Sequence, residues 1–267
     1  MNFHLLSRLI FSFLLLFLWT CSEIDRDNVL DPKNTSSKSE SVILLEAFIN
    51  TNRAAPAYNF LALQAIDSLK EIYQNRLIVC EYHRNTSNPA YDDPLVFDNI
   101  IIENFYEEYT VNYSFDRFKG VPDLFLNGAA HRVQGVSTLT NVIDRLQDFS
   151  NDLIINEGEY TIETETVRVF NDLSCVARIA RLGNQDAPEM ILKVVLTYNG
   201  GLSGKHTVSN VSVPVPIGEI KAGEYEPYDI LIREVDWEKA ENAVFVLYDN
   251  TAINVLHAVN VSLSELR

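Results

Sequence analysis

The run SVILLEAF at residues 41–48 decides the fold of the first half of the chain. It is short and almost wholly apolar, and the turn-forming residues Asn50-Thr51-Asn52 follow it, so it is typical of a fully buried strand. Pro56 stands where a helix would begin, which is a favoured place for proline. Apolar residues then recur at helical spacing: Leu61, Ala65, Leu69 and Ile72. A second buried strand, Leu77–Tyr82, completes a βαβ unit, which implies parallel strands and a right-handed crossover.

The sequence after Tyr82 is predicted to form a loop, a helix, a hairpin of two strands and a last helix. His83–Pro94 is rich in turn-forming residues and is predicted to be a loop, and a second helix is predicted around Asp98–Thr110. Ile101, Phe105 and Tyr109 mark one face of this helix. Gly120-Val121-Pro122 opens a strand at Asp123–Leu126, Asn127-Gly128 is a hairpin turn, and His131–Val133 is the return strand. A last helix is capped by Ser137 or Thr138 and has apolar residues at positions 139, 142, 143, 146 and 149.

The order βαβ–α–ββ–α over residues 41–150 resembles the thioredoxin fold. Val42–Phe48 is similar to the first core strand of that family, and Gly120-Val121-Pro122 is similar to its cis-proline loop. The resemblance implies a cis peptide bond between Val121 and Pro122. In active members this loop contacts the substrate backbone, so two interpretations stay open: a retained packing scaffold, or a residual peptide-binding groove near Arg53 and Val121.

The chain departs from that family at the active site. If Pro56 matches the proline after the second cysteine, Asn52 and Ala55 occupy the two cysteine positions, and neither can form the thiolate that disulfide exchange needs. We therefore predict no catalytic residue and no enzyme activity. Cys80 and Cys175 lie in apolar or alternating runs and are predicted to be small core residues, although a disulfide between them stays open.

The first 20 residues are predicted to be a signal peptide. Arg8 supplies the positive charge, and the apolar run Leu9–Trp19, at about 1.5 Å per residue, is too short for the ~30 Å hydrocarbon core. Leu18-Trp19-Thr20-Cys21 resembles a bacterial lipobox, which makes Cys21 the predicted site of lipid attachment; an ordinary secretory signal is the alternative. Residues 21–40 are predicted to form a flexible tether.

Residues 151–267 follow a different pattern and are predicted to form a second, all-β domain. Strand-like runs alternate with turn residues, which favours an antiparallel sandwich of immunoglobulin-like topology. These runs begin near Tyr160 and continue through Leu173–Leu182, Met190–Tyr198, Val208–Val213, Tyr228–Val235, Ala243–Tyr248 and Leu256–Ser262.

Taken with the lipobox, this pair of domains resembles the outer-membrane-protein-28-related bacterial lipoproteins. His206-Thr207-Val208, Val244–Asp249 and Val255–Ala258 carry the resemblance in the second half. The resemblance implies an outer-membrane lipoprotein of the cell envelope that faces the periplasm or the surface, and it adds location and architecture more than mechanism.

Charge and motif content exclude several function classes. The net charge of −16 argues against nucleic-acid binding, which needs a basic face. The histidines lack metal-type spacing, so neither a metal nor a cofactor is predicted. The stretch NGGLSGK at residues 199–205 superficially resembles a phosphate loop, but it is predicted to link two strands.

Three hypotheses on function follow from the sequence. The leading one is a non-catalytic, lipid-anchored envelope protein that contacts the membrane through its lipid and binds envelope proteins or peptides. The alternatives are a divergent thiol–disulfide oxidoreductase or redox chaperone that uses Cys80 or Cys175, and a surface adhesin or ligand-capture module carried by the β-domain.

Overall fold

The computed structural model describes residues 31–34, 36–52, 57–85, 88–112 and 119–267. In this part the chain is a mixed α/β protein that is mostly sheet, with three α-helices and one large sheet. None of these helices is long and apolar enough to cross a membrane. The predicted signal peptide, Cys21 and Ala55 lie outside the described residues.

Helices and strands follow the order predicted for the first half. The helices are α1 (Tyr58–Tyr73), α2 (Asn99–Asn112) and α3 (Leu139–Ile154). The first four strands are β1 (Ile43–Ile49), β2 (Leu77–His83), β3 (Asp123–Leu126) and β4 (His131–Gln134). The remaining strands are β5 (Tyr160–Val169), β6 (Asp172–Arg181), β7 (Met190–Tyr198), β8 (Thr207–Val211), β9 (Val215–Ile217), β10 (Tyr225–Ile232), β11 (Asn242–Asp249) and β12 (Val255–Ser262).

A single sheet runs through both halves of the chain. Its order is β12-β11-β7-β8-β2-β1-β3-β4, with β9 paired to β7, while β10, β6 and β5 form a separate three-stranded sheet. The two halves join where β8 lies parallel to β2, with Thr207 opposite Glu81. The sheet therefore continues across the predicted boundary between the domains at residues 41–150 and 151–267, because β8 uses the free edge of β2. The boundary also falls inside α3.

The large sheet curls, so its last strand returns to the β3–β4 hairpin. Asn254 bridges to Gly128, and the amide of Val255 donates to the carbonyl of Asn127 at 3.3 Å. Gly128 has φ +67°, and an added Cβ would lie 1.8 Å from the carbonyl oxygen of Ile253. Glycine is therefore required at this turn for its backbone conformation and for the close approach.

Three buried clusters fill the spaces around the large sheet. The odd-numbered residues of β1 face α1 and α3, whereas Leu44 and Phe48 face the concave side together with residues of α2 and β11. The three-stranded sheet packs on the other strands of the second half through a third cluster, which includes Cys175. This arrangement places β1 at the centre of the molecule, buried on both faces along its whole length.

Details at the helices both confirm and correct the sequence patterns. Thr138 is the N-cap of α3, and its hydroxyl accepts a hydrogen bond from the amide of Asn141 at 3.2 Å. Ile72 and Ile101, predicted on buried faces, are 52% and 42% exposed. Ile72 lies at the end of α1, beyond the buried Leu69, whereas Ile102 takes the core position in place of Ile101. A one-residue error in the phase of a helical pattern is enough to move a side chain from core to surface.

The segment before β1 contacts the second half of the chain. Ser37 is fully buried, and Ser39 bridges to Gly158 while its hydroxyl donates to the carbonyl of Tyr160 at 2.7 Å. Ser37 and Ser39, within the predicted tether of residues 21–40, thus pack on the protein, and their buried hydroxyls find backbone partners there.

Candidate functional site

The end of β1, where a thioredoxin-like domain carries its dithiol, is occupied by amide side chains. Asn50 donates from Nδ2 to the carbonyl oxygens of Arg84 at 2.8 Å and Tyr91 at 2.7 Å. Asn52 donates from Nδ2 to the carbonyl oxygen of Asp92 at 2.7 Å. These contacts attach the β2–α2 loop to the strand end. At Asn52, the first of the two matched cysteine positions, the side chain has a structural hydrogen-bonding role.

A buried polar cluster lies directly behind this strand end. His83 Nδ1 is 2.9 Å from Asp93 Oδ2, and the amide and hydroxyl of Thr51 donate to the same oxygen at 2.5 Å and 3.1 Å. On the other side of the ring, His83 Nε2 is 3.3 Å from the hydroxyl of Thr207. Burial acts to raise the pKa of Asp93, but the hydrogen bond and charge of His83, together with the amides of Thr51 and Leu95, outweigh burial, so this pKa is lowered.

The order Asp93–His83–Thr207 resembles a catalytic proton relay, but the three side chains are buried and have a structural role instead. Each of these residues is at most 5% exposed, so the Thr207 hydroxyl has no room for a substrate beside it. Thr51 comes from β1, His83 from β2, Asp93 from the loop and Thr207 from β8. The cluster therefore fastens the two halves of the chain together at this end of the sheet.

Gly204 packs its backbone against the same cluster. An added Cβ would meet Glu81 Oε2 at 2.6 Å, Thr207 Oγ1 at 2.7 Å and His83 Nε2 at 2.9 Å. The carboxylate of Glu81 accepts the amide of His206 at 2.9 Å, and burial raises the pKa of Glu81 to about 7. The glycine-rich stretch at residues 199–205 thus links β7 to β8, as predicted, and closes over polar side chains of β2.

The predicted cis-proline loop lies beside the end of β1. The Val121–Pro122 peptide bond is cis, as the resemblance to thioredoxins implies. Phe48 pairs with Asp123, so Pro122, the residue before β3, lies near the C-terminal end of β1. Asn52, the first residue of the predicted cysteine-replacing segment, follows that same strand end, and residues 53–56 are outside the described part.

An ion pair and a tyrosine hold this loop in place. Arg132 contacts the buried carboxylate of Asp123 through Nε at 2.8 Å and through a second guanidinium nitrogen at 2.5 Å. The Tyr106 hydroxyl donates to Asp123 at 2.7 Å and accepts the amide of Gly120 at 3.0 Å. Bidentate contacts of this kind fix orientation as well as charge, so the loop is preorganised.

The two thiols in the described residues are both buried and lie apart. Cys80 is fully buried on the concave side of the large sheet, and Cys175 is 1% exposed between the two sheets. Burial raises the pKa of Cys80 well above its usual value and the pKa of Cys175 to about 12. Both positions disfavour the thiolate, which works against the hypothesis of a thiol oxidoreductase.

The concave side holds a buried carboxylate that the sequence analysis missed. Glu46 is fully buried in β1, and its carboxylate accepts hydrogen bonds from the hydroxyls of Tyr109 at 2.5 Å, Tyr248 at 3.2 Å and Tyr82 at 3.3 Å. Burial raises its pKa to about 7, and these hydroxyls together with the charge of Lys193 oppose the rise. One signal was available: Glu46 is the single charged residue in the apolar run 42–49.

Lys193 places a second charge in the same interior. It is 4% exposed, its Nζ lies 4.3 Å from the ring centre of Phe105 and 5.0 Å from that of Tyr248, and Glu108 Oε2 is 3.4 Å away. A cation over aromatic faces is stabilised without full hydration. Among the described residues, no group of three or more acidic, histidine or cysteine side chains could hold a metal ion.

Comparisons with known proteins support the fold more than the function. No protein-family model matches the chain, and no curated protein matches it either. Among solved structures, HBP35 of Porphyromonas gingivalis superposes with a TM-score of 0.63 over 86% of this chain and 77% of that chain, at 12% sequence identity. At this identity the similarity shows a shared fold alone.

Two glycosidases match only a part of the chain. A calcium-binding mutant of β-glucuronidase 2 from Bacteroides uniformis has a TM-score of 0.29 at 13% identity, over 38% of this chain and 12% of that chain. DesR, a β-glucosidase from Streptomyces venezuelae, has a TM-score of 0.26 at 11% identity, over 39% of this chain and 14% of that chain. Neither similarity carries an argument about function.

Proposed function

We propose that the chain is a non-catalytic, lipid-anchored protein of the bacterial cell envelope whose thioredoxin-like half binds extended protein segments. In this proposal the β-rich half is an immunoglobulin-like unit fused to that half through β8. The observation that carries the proposal is the environment of the two thiols. Both thiols are buried and have raised pKa values. The edge formed by Asn50, Asn52 and the cis-proline loop contains no cysteine, yet it is ordered by hydrogen bonds and retains the cis peptide bond.

The preorganised loop supports peptide binding at this edge. Asp123, Arg132 and Tyr106 fix the loop on its inner side, and Val121 remains half-exposed. A rigid backbone beside a strand end costs little entropy when a partner backbone pairs with it. The surface around Val121, where the resemblance implies a peptide-binding groove near Arg53 and Val121, is therefore our candidate binding surface, and unfolded segments of envelope proteins are the candidate partners.

Binding of an unfolded protein tests this proposal. Reduced and carboxymethylated ribonuclease A is a suitable probe because it is extended and has no free thiol. We expect Val121→Arg to weaken its binding about tenfold, which corresponds to about 1.4 kcal/mol. Ile155→Arg is the matched control, since Ile155 is 77% exposed just after α3. No binding, or equal binding by the two variants, would contradict the proposed surface.

The anchor is tested separately by mass spectrometry of protein purified from envelopes. We expect a mature N-terminus at Cys21 that carries a diacylglyceryl group and an acyl chain, and a Cys21→Ser variant that is released from the membrane fraction. An unmodified cysteine within a longer or shorter mature chain would favour the ordinary secretory signal instead.

A second candidate function is ligand capture through the three-stranded sheet. Five large hydrophobic side chains of this sheet and its β5–β6 turn are exposed, and Phe170, at the tip of that hairpin, is 91% exposed; the other four are Val167, Val169, Tyr225 and Leu231. Val167 and Leu231 pair with Ser174 from its two sides, so both lie on one face of this sheet with the serine between them. If this face binds apolar ligands, Phe170→Ser should reduce binding of the dye anilinonaphthalene sulfonate; unchanged binding would argue against it.

A further inference from the structure

A cavity of about 590 Å³ lies between the two halves, at the opposite end of β1 from the cis-proline loop. Its wall from the first half includes Val42, which precedes β1, and Asn75, which precedes β2. Its wall from the second half includes Glu163 of β5 and His257 of β12. Its size falls in the range of small-molecule sites in proteins, about 300–1,000 Å³.

The most informative residue in the cavity is His257. Its side chain is 8% exposed and lines this cavity and an adjoining one of about 480 Å³. No hydrogen bond or ion pair to its imidazole is found within the described ranges. Burial lowers its pKa to about 4, so the ring is neutral near pH 7 and offers one N–H donor and one nitrogen acceptor.

An almost buried imidazole without a partner is uncommon. Buried polar groups nearly always have a hydrogen-bond partner. The ring nitrogens of His257 are not among the fully enclosed unpaired polar atoms of the described residues, so they open into the cavity, where water or a bound molecule would supply their hydrogen bonds.

The other polar groups of the cavity limit the chemistry of that molecule. Two carboxylates, Glu40 and Glu163, face one ammonium group, Lys70, and the lysine already donates to the carbonyl oxygen of Leu77. This excess of negative charge disfavours anions. Asn75 and Asn260 add amides that both donate and accept.

Side chains that both donate and accept hydrogen bonds suit a ligand with hydroxyl groups, because a hydroxyl group also donates and accepts. The apolar side chains of Val42, Ile78 and Val259 supply surface for the C–H face of a ring. We propose that this cavity binds a neutral carbohydrate of one or two sugar rings, with His257, Asn260 and Glu163 as hydrogen-bonding residues. The proposal is independent of peptide binding at the cis-proline loop, which lies at the other end of β1.

Calorimetric titration of the purified full chain tests the proposal with named probes. The neutral sugars are maltose, cellobiose, lactose and N,N′-diacetylchitobiose; glucuronate and glycylglycine represent an anion and a zwitterion. We expect at least one neutral sugar to bind at millimolar concentration or below. We expect His257→Ala and Asn260→Ala each to weaken that binding about tenfold, the effect of losing roughly one hydrogen bond.

The controls separate the assigned site from other causes. His131→Ala is matched to His257→Ala, because His131 stacks on Phe149 with ring centres 4.5 Å apart and does not line this cavity. Asn260 is exposed at the rim, so its variant keeps the test valid if His257→Ala fails to fold. Absence of sugar binding, binding that is insensitive to Asn260→Ala, or preferential binding of glucuronate or glycylglycine would overturn the assignment.

Discussion

Replacing Glu46 by glutamine should flatten the dependence of stability on pH. In the folded protein, burial raises the pKa of Glu46 from its ordinary value of 4.5 to about 7. Between these two values the folded state holds a proton that the unfolded state releases. The proton bound by Glu46 therefore stabilises the folded state fully below pH 4.5, and this stabilisation is lost as the pH rises to about 7.

The magnitude follows from the size of the pKa change. Since one pKa unit corresponds to about 1.4 kcal/mol, ionising Glu46 in the folded protein costs about 3 kcal/mol. Most of this cost falls between pH 5 and pH 8. Glutamine keeps the shape and cannot ionise, and its amide can donate to the hydroxyl of Tyr109 while its oxygen accepts from Tyr82 and Tyr248.

Urea unfolding at several pH values between 5 and 8 measures the effect. Relative to wild type, we expect Glu46→Gln to gain about 2–3 kcal/mol in free energy of unfolding on going from pH 5 to pH 8. Glu226→Gln, at an exposed position of β10, is the matched control and should follow wild type. A variant that becomes less stable than wild type at high pH would refute this reasoning, because it would mean that ionised Glu46 is stabilised by Lys193.

Three further predictions test other features of the fold. Gly204→Ala should destabilise the protein by several kcal/mol in thermal unfolding, because the added Cβ would lie within 3 Å of three packed polar side chains. Gly218→Ala is the control and should change stability little, because nothing lies within 4 Å of its added Cβ. Equal effects of the two substitutions would contradict the packing described for Gly204. Cys80 and Cys175 should react with a thiol reagent only after unfolding, and fast reaction of either in the native protein would revive a redox function. Thr138→Ala should cost about 1 kcal/mol and Thr138→Ser much less, which chemical denaturation can measure; equal losses would exclude the hydroxyl as the cap.

The sequence predicted local structure well wherever one strong pattern was present. Met190–Tyr198 was placed to the residue, and the cap of α3 was limited to two neighbouring candidates, one of which is correct. Apolar runs bounded by turn residues, and a threonine followed by helical spacing, contain enough information for this purpose.

The pairing of distant strands could not be predicted. Nothing in Thr207–Val211 shows that it lies beside Leu77–His83, because the choice of sheet edge depends on the three-dimensional arrangement of all strands. Two domains, at residues 41–150 and 151–267, were therefore predicted without the sheet that joins them. The short strand Val215–Ile217 was missed because three residues carry too little periodicity.

The candidate site could be predicted only in part. The cis-proline loop has a recognisable local sequence, and so has the cysteine-free segment. In contrast, the contacts of His83 with Asp93 and Thr207, and the unpartnered ring of His257, depend on residues far apart in the chain. A single sequence carries no pattern for such contacts, except where a lone charge such as Glu46 interrupts an apolar strand.

Catalysed reduction of insulin disulfides, with dithiothreitol as the electron source, tests the central claim most directly. We propose that the chain keeps a thioredoxin-like scaffold that does not carry out thiol chemistry. We expect wild-type protein to leave the rate at that of dithiothreitol alone, and Asn52→Cys/Ala55→Cys, which restores the two cysteines, to accelerate it. Wild-type turnover at a thioredoxin-like rate would contradict the account.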